Sequence, residues 1–302
     1  MKRLAGPLIA LALVPVLGLP TVVLGQPPGQ ALPDGIRGGS EVVPERGVEI
    51  RHYVFQPTGE QLPYSVFVSS KVRKDQKAPL IIALRGFTGT TLTFVRGTAV
   101  DLAEAGGYIL VGAIGYNNRA GFGGPAPPRP APGAPAASAP GSAPAPPPMP
   151  RTLPPLVGGE AETDPAKVSA YSEQDVMNVL ALVRKEFNID DRRIYLMGHS
   201  QGGSGARHLA EKYPDIWAAV ALLAPALFNV QVTAESKITH VPLLLTVGDK
   251  DSLITSVHEF SAQLDRLHVA HEYVEKPGLD HGTIIMGGMP DVFPFFAKHV
   301  KP

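Results

Sequence analysis

The stretch Arg193-Ile194-Tyr195-Leu196-Met197-Gly198-His199-Ser200-Gln201-Gly202-Gly203 decides how this chain reads. Ile194 to Met197 have the apolar, β-rich pattern of a buried strand, and the residues after Gly202 suit a helix. Between them lies a G-x-S-x-G pentapeptide. Glycine on either side lets the chain turn sharply from strand to helix, so Ser200 stands on a strained elbow with its hydroxyl exposed. The backbone amide of Gln201 is then free to hold an oxyanion. A bare pentapeptide also fits an ordinary turn with a small residue at its apex; the order strand, elbow, helix separates the two readings.

A serine hydroxyl is a poor nucleophile near neutrality and needs a histidine to take its proton and an acid to orient that imidazole. Two downstream loops offer them. Gly248-Asp249-Lys250-Asp251 follows a strand ending at Val247, and Gly278-Leu279-Asp280-His281-Gly282 follows the last strand. Asp280 is set aside because adjacent side chains diverge from His281. The order serine, acid, histidine along the chain belongs to one fold class and differs from both common serine-protease orders.

Working outward, strands are predicted over 49–55 and 64–69, separated by the turn-forming Pro57-Thr58-Gly59, and over 79–84, 108–113, 193–197, 218–223, 242–247 and 271–274. Helices are predicted over 92–105, from an N-cap at Ser172 to about 187, over 202–212, over 256–267 and over 291–300. The first two strands pair as a hairpin, and the rest alternate with helices. The expected fold is therefore α/β, a mostly parallel eight-stranded sheet with helices on both faces. Ligands of such sheets bind at the carboxyl ends of the strands, where Ser200, the Gly86 loop and Asp251 all fall.

On these residues the chain resembles the α/β-hydrolase superfamily, and within it the secreted esterases similar to polyhydroxybutyrate depolymerases, feruloyl and acetylxylan esterases, together with the hydrolase domain of prolyl oligopeptidases. The resemblance spans 49–300. Its strongest segment, 188–203, is similar to the helix-to-nucleophile passage of those enzymes. It implies the α/β-hydrolase fold, Ser200 as nucleophile, His281 as base and Asp251 as acid. The family's G-x-x-D pattern falls on Gly248 and Asp251, which leaves Asp249 to cap or turn the loop. The loop Leu84-Arg85-Gly86-Phe87-Thr88-Gly89-Thr90 resembles the His-Gly loop of these hydrolases, so the backbone amide of Phe87 joins that of Gln201 as the expected oxyanion hole. Arg85 stands where the family has histidine. It is read either as pairing with a carboxylate to brace the loop or as meeting an acidic group on the substrate.

Composition narrows the remaining classes. Lys plus Arg and Asp plus Glu are both 27, which offers no electrostatic footprint for nucleic acid or an anionic membrane. The chain has no cysteine, so thiolate catalysis, disulfides and cysteine-ligated zinc are excluded. His268 and His271 lack a third partner for zinc, His199 is read as a packing or hydrogen-bonding residue, and Tyr213 and Trp217 are read as core. No cofactor or metal is expected. Lys2 and Arg3 before an apolar run from Leu8 to Leu24, ending in Val23-Leu24-Gly25, read as a signal peptide over 1–25. An uncleaved membrane anchor is the alternative, and no other membrane contact is expected. A flexible leader follows over 26–47, then a catalytic domain over 48–302. That domain is interrupted at 125–155 by a Pro/Ala tract with nearly half of the chain's 32 prolines, read as a disordered insertion. The expected protein is a secreted or periplasmic serine hydrolase acting on a small-molecule or polymer-attached ester. A serine peptidase of prolyl oligopeptidase type and a non-catalytic binding protein on the same fold are the alternatives.

Overall fold

The computed structural model describes residues 44–45, 47–123, 162–228 and 230–302. The expected signal segment, most of the leader and the Pro/Ala tract lie outside the described residues. The strands are β1 (Val48–Phe55), β2 (Glu60–Val68), β3 (Ala78–Leu84), β4 (Ile109–Ala113), β5 (Ile189–His199), β6 (Ala219–Leu223), β7 (Leu243–Gly248) and β8 (His271–Lys276). The helices are α1 (Gly97–Gly106), α2 (Pro165–Glu186), α3 (Gln201–Lys212), α4 (Ile254–Arg266), α5 (Ile284–Gly287) and α6 (Met289–Lys298).

All eight strands join one sheet in the order β1-β2-β4-β3-β5-β6-β7-β8. The β1–β2 and β2–β4 pairs are antiparallel and the remaining five are parallel. This is the mostly parallel sheet that the alternation of strand and helix predicts. A parallel sheet must be covered on both faces, which is why its central strands are apolar almost without interruption. In β3, Leu80, Ile82 and Leu84 face a core shared with Val176 and Val183 of α2, Leu209 of α3 and Phe260 of α4. The alternate residues Ile81 and Ala83 face a second core with Ala99 and Ala103 of α1 and Val292 and Phe296 of α6. The two-residue period of a strand divides one apolar run between two layers.

Two helices begin elsewhere than their sequences suggest. Gly97 adopts φ +51, a left-handed conformation that no helix can run through, so α1 cannot extend back to 92. Residues 90–93 form instead a turn in which the Thr93 hydroxyl donates to the Thr90 carbonyl at 2.8 Å. Ser172 does not cap α2. That role falls to Asp164, whose carboxylate accepts from Ala166 N at 2.9 Å, with Pro165 in the first turn, where its missing N–H is no loss. Ser172 lies buried within the helix, donating to the Val168 carbonyl at 2.9 Å and accepting from Tyr116 N at 3.0 Å.

Candidate active site

Ser200 sits between the end of β5 and the start of α3 at φ 55, ψ −118, a conformation a non-glycine residue holds only under tertiary constraint. The constraint is a clamp on its own peptide groups. Its N–H donates to Leu223 O at 3.0 Å at the end of β6, and its carbonyl accepts from Ala226 N at 3.0 Å and Ser204 N at 3.1 Å. The flanking glycines answer to close approach. A Cβ on Gly198 would lie 2.1 Å from the Gly202 carbonyl oxygen, and one on Gly202 would lie 2.2 Å from that of Leu84. Only this sequence pattern lets β5, the elbow and the end of β3 come so near one another.

Asp251 and His281 arrive from the ends of β7 and β8, and their loops are laced together. Asp249 N donates to Lys276 O at 3.1 Å, Lys250 N donates to Leu279 O at 3.0 Å, and the Asp249 carboxylate accepts from Gly278 N at 2.7 Å. Asp249 thus turns and ties the loop, as its place after Gly248 suggests. Asp280 accepts from Gly282 N at 3.0 Å and Thr283 N at 2.8 Å, shaping the turn that presents His281 and leading into α5. Asp251 is buried and its second oxygen accepts from Leu253 N at 2.8 Å, which holds the carboxylate in one orientation.

The structure brings the three sequence-predicted residues into one line. His281 Nδ1 is 2.8 Å from Asp251 Oδ2, and His281 Nε2 is 2.9 Å from Ser200 Oγ. A carboxylate can only accept, so Nδ1 carries the proton and Nε2 is left to accept from the serine hydroxyl. Behind this line lies His199, buried, with its Nε2 2.7 Å from the His281 carbonyl oxygen. Burial, followed by the proximity of His281, lowers the His199 pKa from 6.5 to about 4, so this ring is neutral above that pH. That partnership carried no signal in the sequence beyond the presence of a histidine beside the elbow.

The two expected oxyanion donors are the backbone amides of Phe87 and Gln201. Among the described residues, neither Phe87 N nor Gln201 N donates to a protein acceptor. Gln201 N also opens α3, where the helix dipole favours negative charge. Arg85 braces its loop, as one of its sequence readings has it, but not through a carboxylate. It is 1% exposed, so it meets no substrate from the surface, and its hydrogen bonds go to no carboxylate. They go to Ile114 O at 2.8 Å, Gly86 O at 3.1 Å, Ala120 O at 3.0 Å, Asn117 O and the side-chain oxygen of Gln201 at 3.0 Å, while the guanidinium lies 4.9 Å from the centre of the Phe122 ring. Asp175, the buried carboxylate whose charge acts on Arg85, is hydrogen-bonded by Tyr53 OH and Gly115 N, both at 2.8 Å. A cage of carbonyls satisfies a planar five-donor group as a single carboxylate could not.

The remaining singled-out residues are structural. Trp217 is buried and donates to Leu209 O at 3.2 Å, Tyr213 donates to Glu173 at 2.7 Å, and His271 contacts the Ser261 hydroxyl at 2.8 Å and the Val269 carbonyl at 2.9 Å. No group of three or more potential metal ligands occurs among the described residues. Nor is any described helix long and apolar enough to cross a membrane.

Residues 159–281 match the model of the Esterase family. No curated protein matches the chain by sequence. Among solved structures, a ferulic acid esterase from Anaeromyces mucronatus in complex with ferulic acid aligns with a TM-score of 0.58 at 16% identity, over 87% of this chain and 96% of that one. A fluorophosphonate-binding serine hydrolase of Staphylococcus aureus aligns at 0.57 and 13% identity, over 82% and 97%. An S-formylglutathione hydrolase from Agrobacterium tumefaciens aligns at 0.56 and 16% identity, over 84% and 95%. At such identities the likeness establishes the fold, which is that of the α/β-hydrolases. The family match over 159–281 supports an enzyme with esterase activity.

Proposed function

We propose that this chain is an exported hydrolase of carboxylic esters that works through an acyl-enzyme on Ser200, His281 and Asp251. The observation that carries the reading is the line of two hydrogen bonds, 2.8 and 2.9 Å, running from the buried Asp251 through His281 to a serine held on an elbow. His281 Nε2 takes the hydroxyl proton as Ser200 Oγ bonds to the ester carbonyl carbon. The carbonyl oxygen becomes an oxyanion, received by the amides of Phe87 and Gln201. On collapse the C–O bond to the alcohol breaks, and the imidazolium returns its proton to the leaving oxygen. Water then gives a proton to Nε2 and attacks the acyl-serine by the same course, releasing the acid and the free hydroxyl.

Asp251 serves this cycle by fixing the tautomer of His281 and by stabilising the imidazolium as it forms. Export rests on the basic and apolar pattern of residues 1–25. The test is a fluorophosphonate label, followed by acetyl, butyryl, feruloyl and peptide substrates offered to the purified protein. Labelling together with ester turnover supports the reading, and cleavage of the peptide in preference to every ester contradicts it. Recovery of the protein outside the cytoplasm, with a new N-terminus near residue 25, tests export.

A further inference from the structure

We infer that Arg85 is a positioning residue that aims both amides of the oxyanion hole, an inference that rests on the assignment of Ser200 as nucleophile. Arg85 Nη1 is shared between two acceptors, the Gly86 carbonyl at 3.1 Å and the Gln201 side-chain oxygen at 3.0 Å. The Gly86 carbonyl belongs to the same peptide unit as the Phe87 N–H. Because that unit is planar and trans, its C=O and N–H point in opposite directions, so fixing one fixes the other. A cation bonded to the carbonyl also polarises the peptide and strengthens its N–H as a donor.

The second arm reaches the residue that carries the other amide. Gln201 is held from both ends of its side chain, by Arg85 at the oxygen and through its Nε2 to the Arg119 carbonyl at 3.0 Å. Arg119 lies in the loop after β4, whose carbonyls at 114, 117 and 120 the same guanidinium gathers. One buried side chain therefore joins the β3 loop, the β4 loop and the first residue of α3. It does so from behind, on the side of the Gly86–Phe87 peptide opposite the N–H. A lysine, with one nitrogen, could not reach all these acceptors at once.

The test compares the wild type with Arg85→Ala in four measurements: kcat and KM on a small ester, affinity for a trifluoromethyl ketone, fluorophosphonate labelling and melting temperature. The ketone accepts Ser200 Oγ and places an oxyanion in the hole, so it reports the donors directly. Loss of one well-aimed donor lowers kcat on the order of 100-fold. We expect that fall in Arg85→Ala, a parallel loss of ketone affinity and a KM within about threefold of wild type. Millimolar guanidinium, but not urea, should restore part of both. Values of kcat and ketone affinity within about threefold of wild type overturn the inference, as does equal rescue by urea.

If Arg85→Ala does not fold, Gln201→Met decides, since it removes the shared acceptor and keeps the backbone amide. It should lower kcat and ketone affinity together by about tenfold, and unchanged values overturn the inference. A wild type that resists the fluorophosphonate would instead refute the serine assignment beneath it, which distinguishes the two failures.

Discussion

His199, the residue before the elbow serine, donates from its Nε2 to the carbonyl oxygen of His281 at 2.7 Å, and the two rings lie 4.5 Å apart. Since a carbonyl can only accept, the bond defines the His199 tautomer. It also ties the last loop of the sheet back to the strand that leads into Ser200. The ring is buried against Gly86, where a Cβ would meet His199 Nδ1 at 2.8 Å, so a single imidazole spaces the Gly86 loop from the His281 loop.

The depressed pKa of His199 makes stability depend on pH with a definite sign. Between pH 6.5 and about 4 the unfolded chain binds a proton at this position and the folded protein does not, so stability falls as pH falls through that window. The contribution reaches roughly 3 kcal/mol at the acid end. His199→Gln keeps an N–H donor without the titration. Melting curves of the two proteins should converge toward acid, with the mutant's pH dependence the shallower. Asp175 acts in the opposite sense, because burial raises its pKa to about 7, and it cancels in the difference.

Gly202→Ala should be more damaging than its size suggests. The added methyl would lie 2.2 and 2.3 Å from the carbonyl oxygens of Leu84 and Arg85, backbone atoms that cannot swing aside. The elbow must move off β3 or the loop after it must yield. We expect a loss of about 1–3 kcal/mol in denaturant melts and a larger proportional loss of kcat than of stability. Unchanged kcat in a folded protein would contradict the close approach.

Asp249 and Asp251 sit two residues apart with divided tasks. Asp251→Asn leaves the loop laced but removes the carboxylate on His281 Nδ1, and should lower kcat on the order of 10³- to 10⁴-fold with little change in melting temperature. Asp249→Asn weakens the acceptor for Gly278 N and should cost stability more than turnover. Steady-state kinetics and melting curves on the two mutants check this division.

What was legible from sequence is what local patterns encode. The elbow was visible because close packing at Gly198 and Gly202 forbids other residues, and the parallel sheet because its strands are apolar on both faces. The loops that bear Asp251 and His281 stand out because each follows a strand and carries a side chain that a serine nucleophile would need. Pairing partners do not. That Asp164 rather than Ser172 caps α2 depends on Pro165 opening the helix and on the Ser172 hydroxyl being taken up by the Val168 carbonyl inside it. That Arg85 binds carbonyls rather than a carboxylate depends on loops at 114–120 folding beneath it, a contact between segments some 30 residues apart. The grip of His199 on His281 spans 82 residues and leaves no periodicity to read.

The central claim, that Ser200 is the nucleophile, is tested most directly by mapping the site of fluorophosphonate attachment by mass spectrometry on the wild type and on Ser200→Ala. We expect one adduct, on Ser200, absent from a folded Ser200→Ala protein whose ester turnover has dropped by about 10⁴-fold or more. An adduct on another residue, or ester hydrolysis by Ser200→Ala near the wild-type rate, would contradict it.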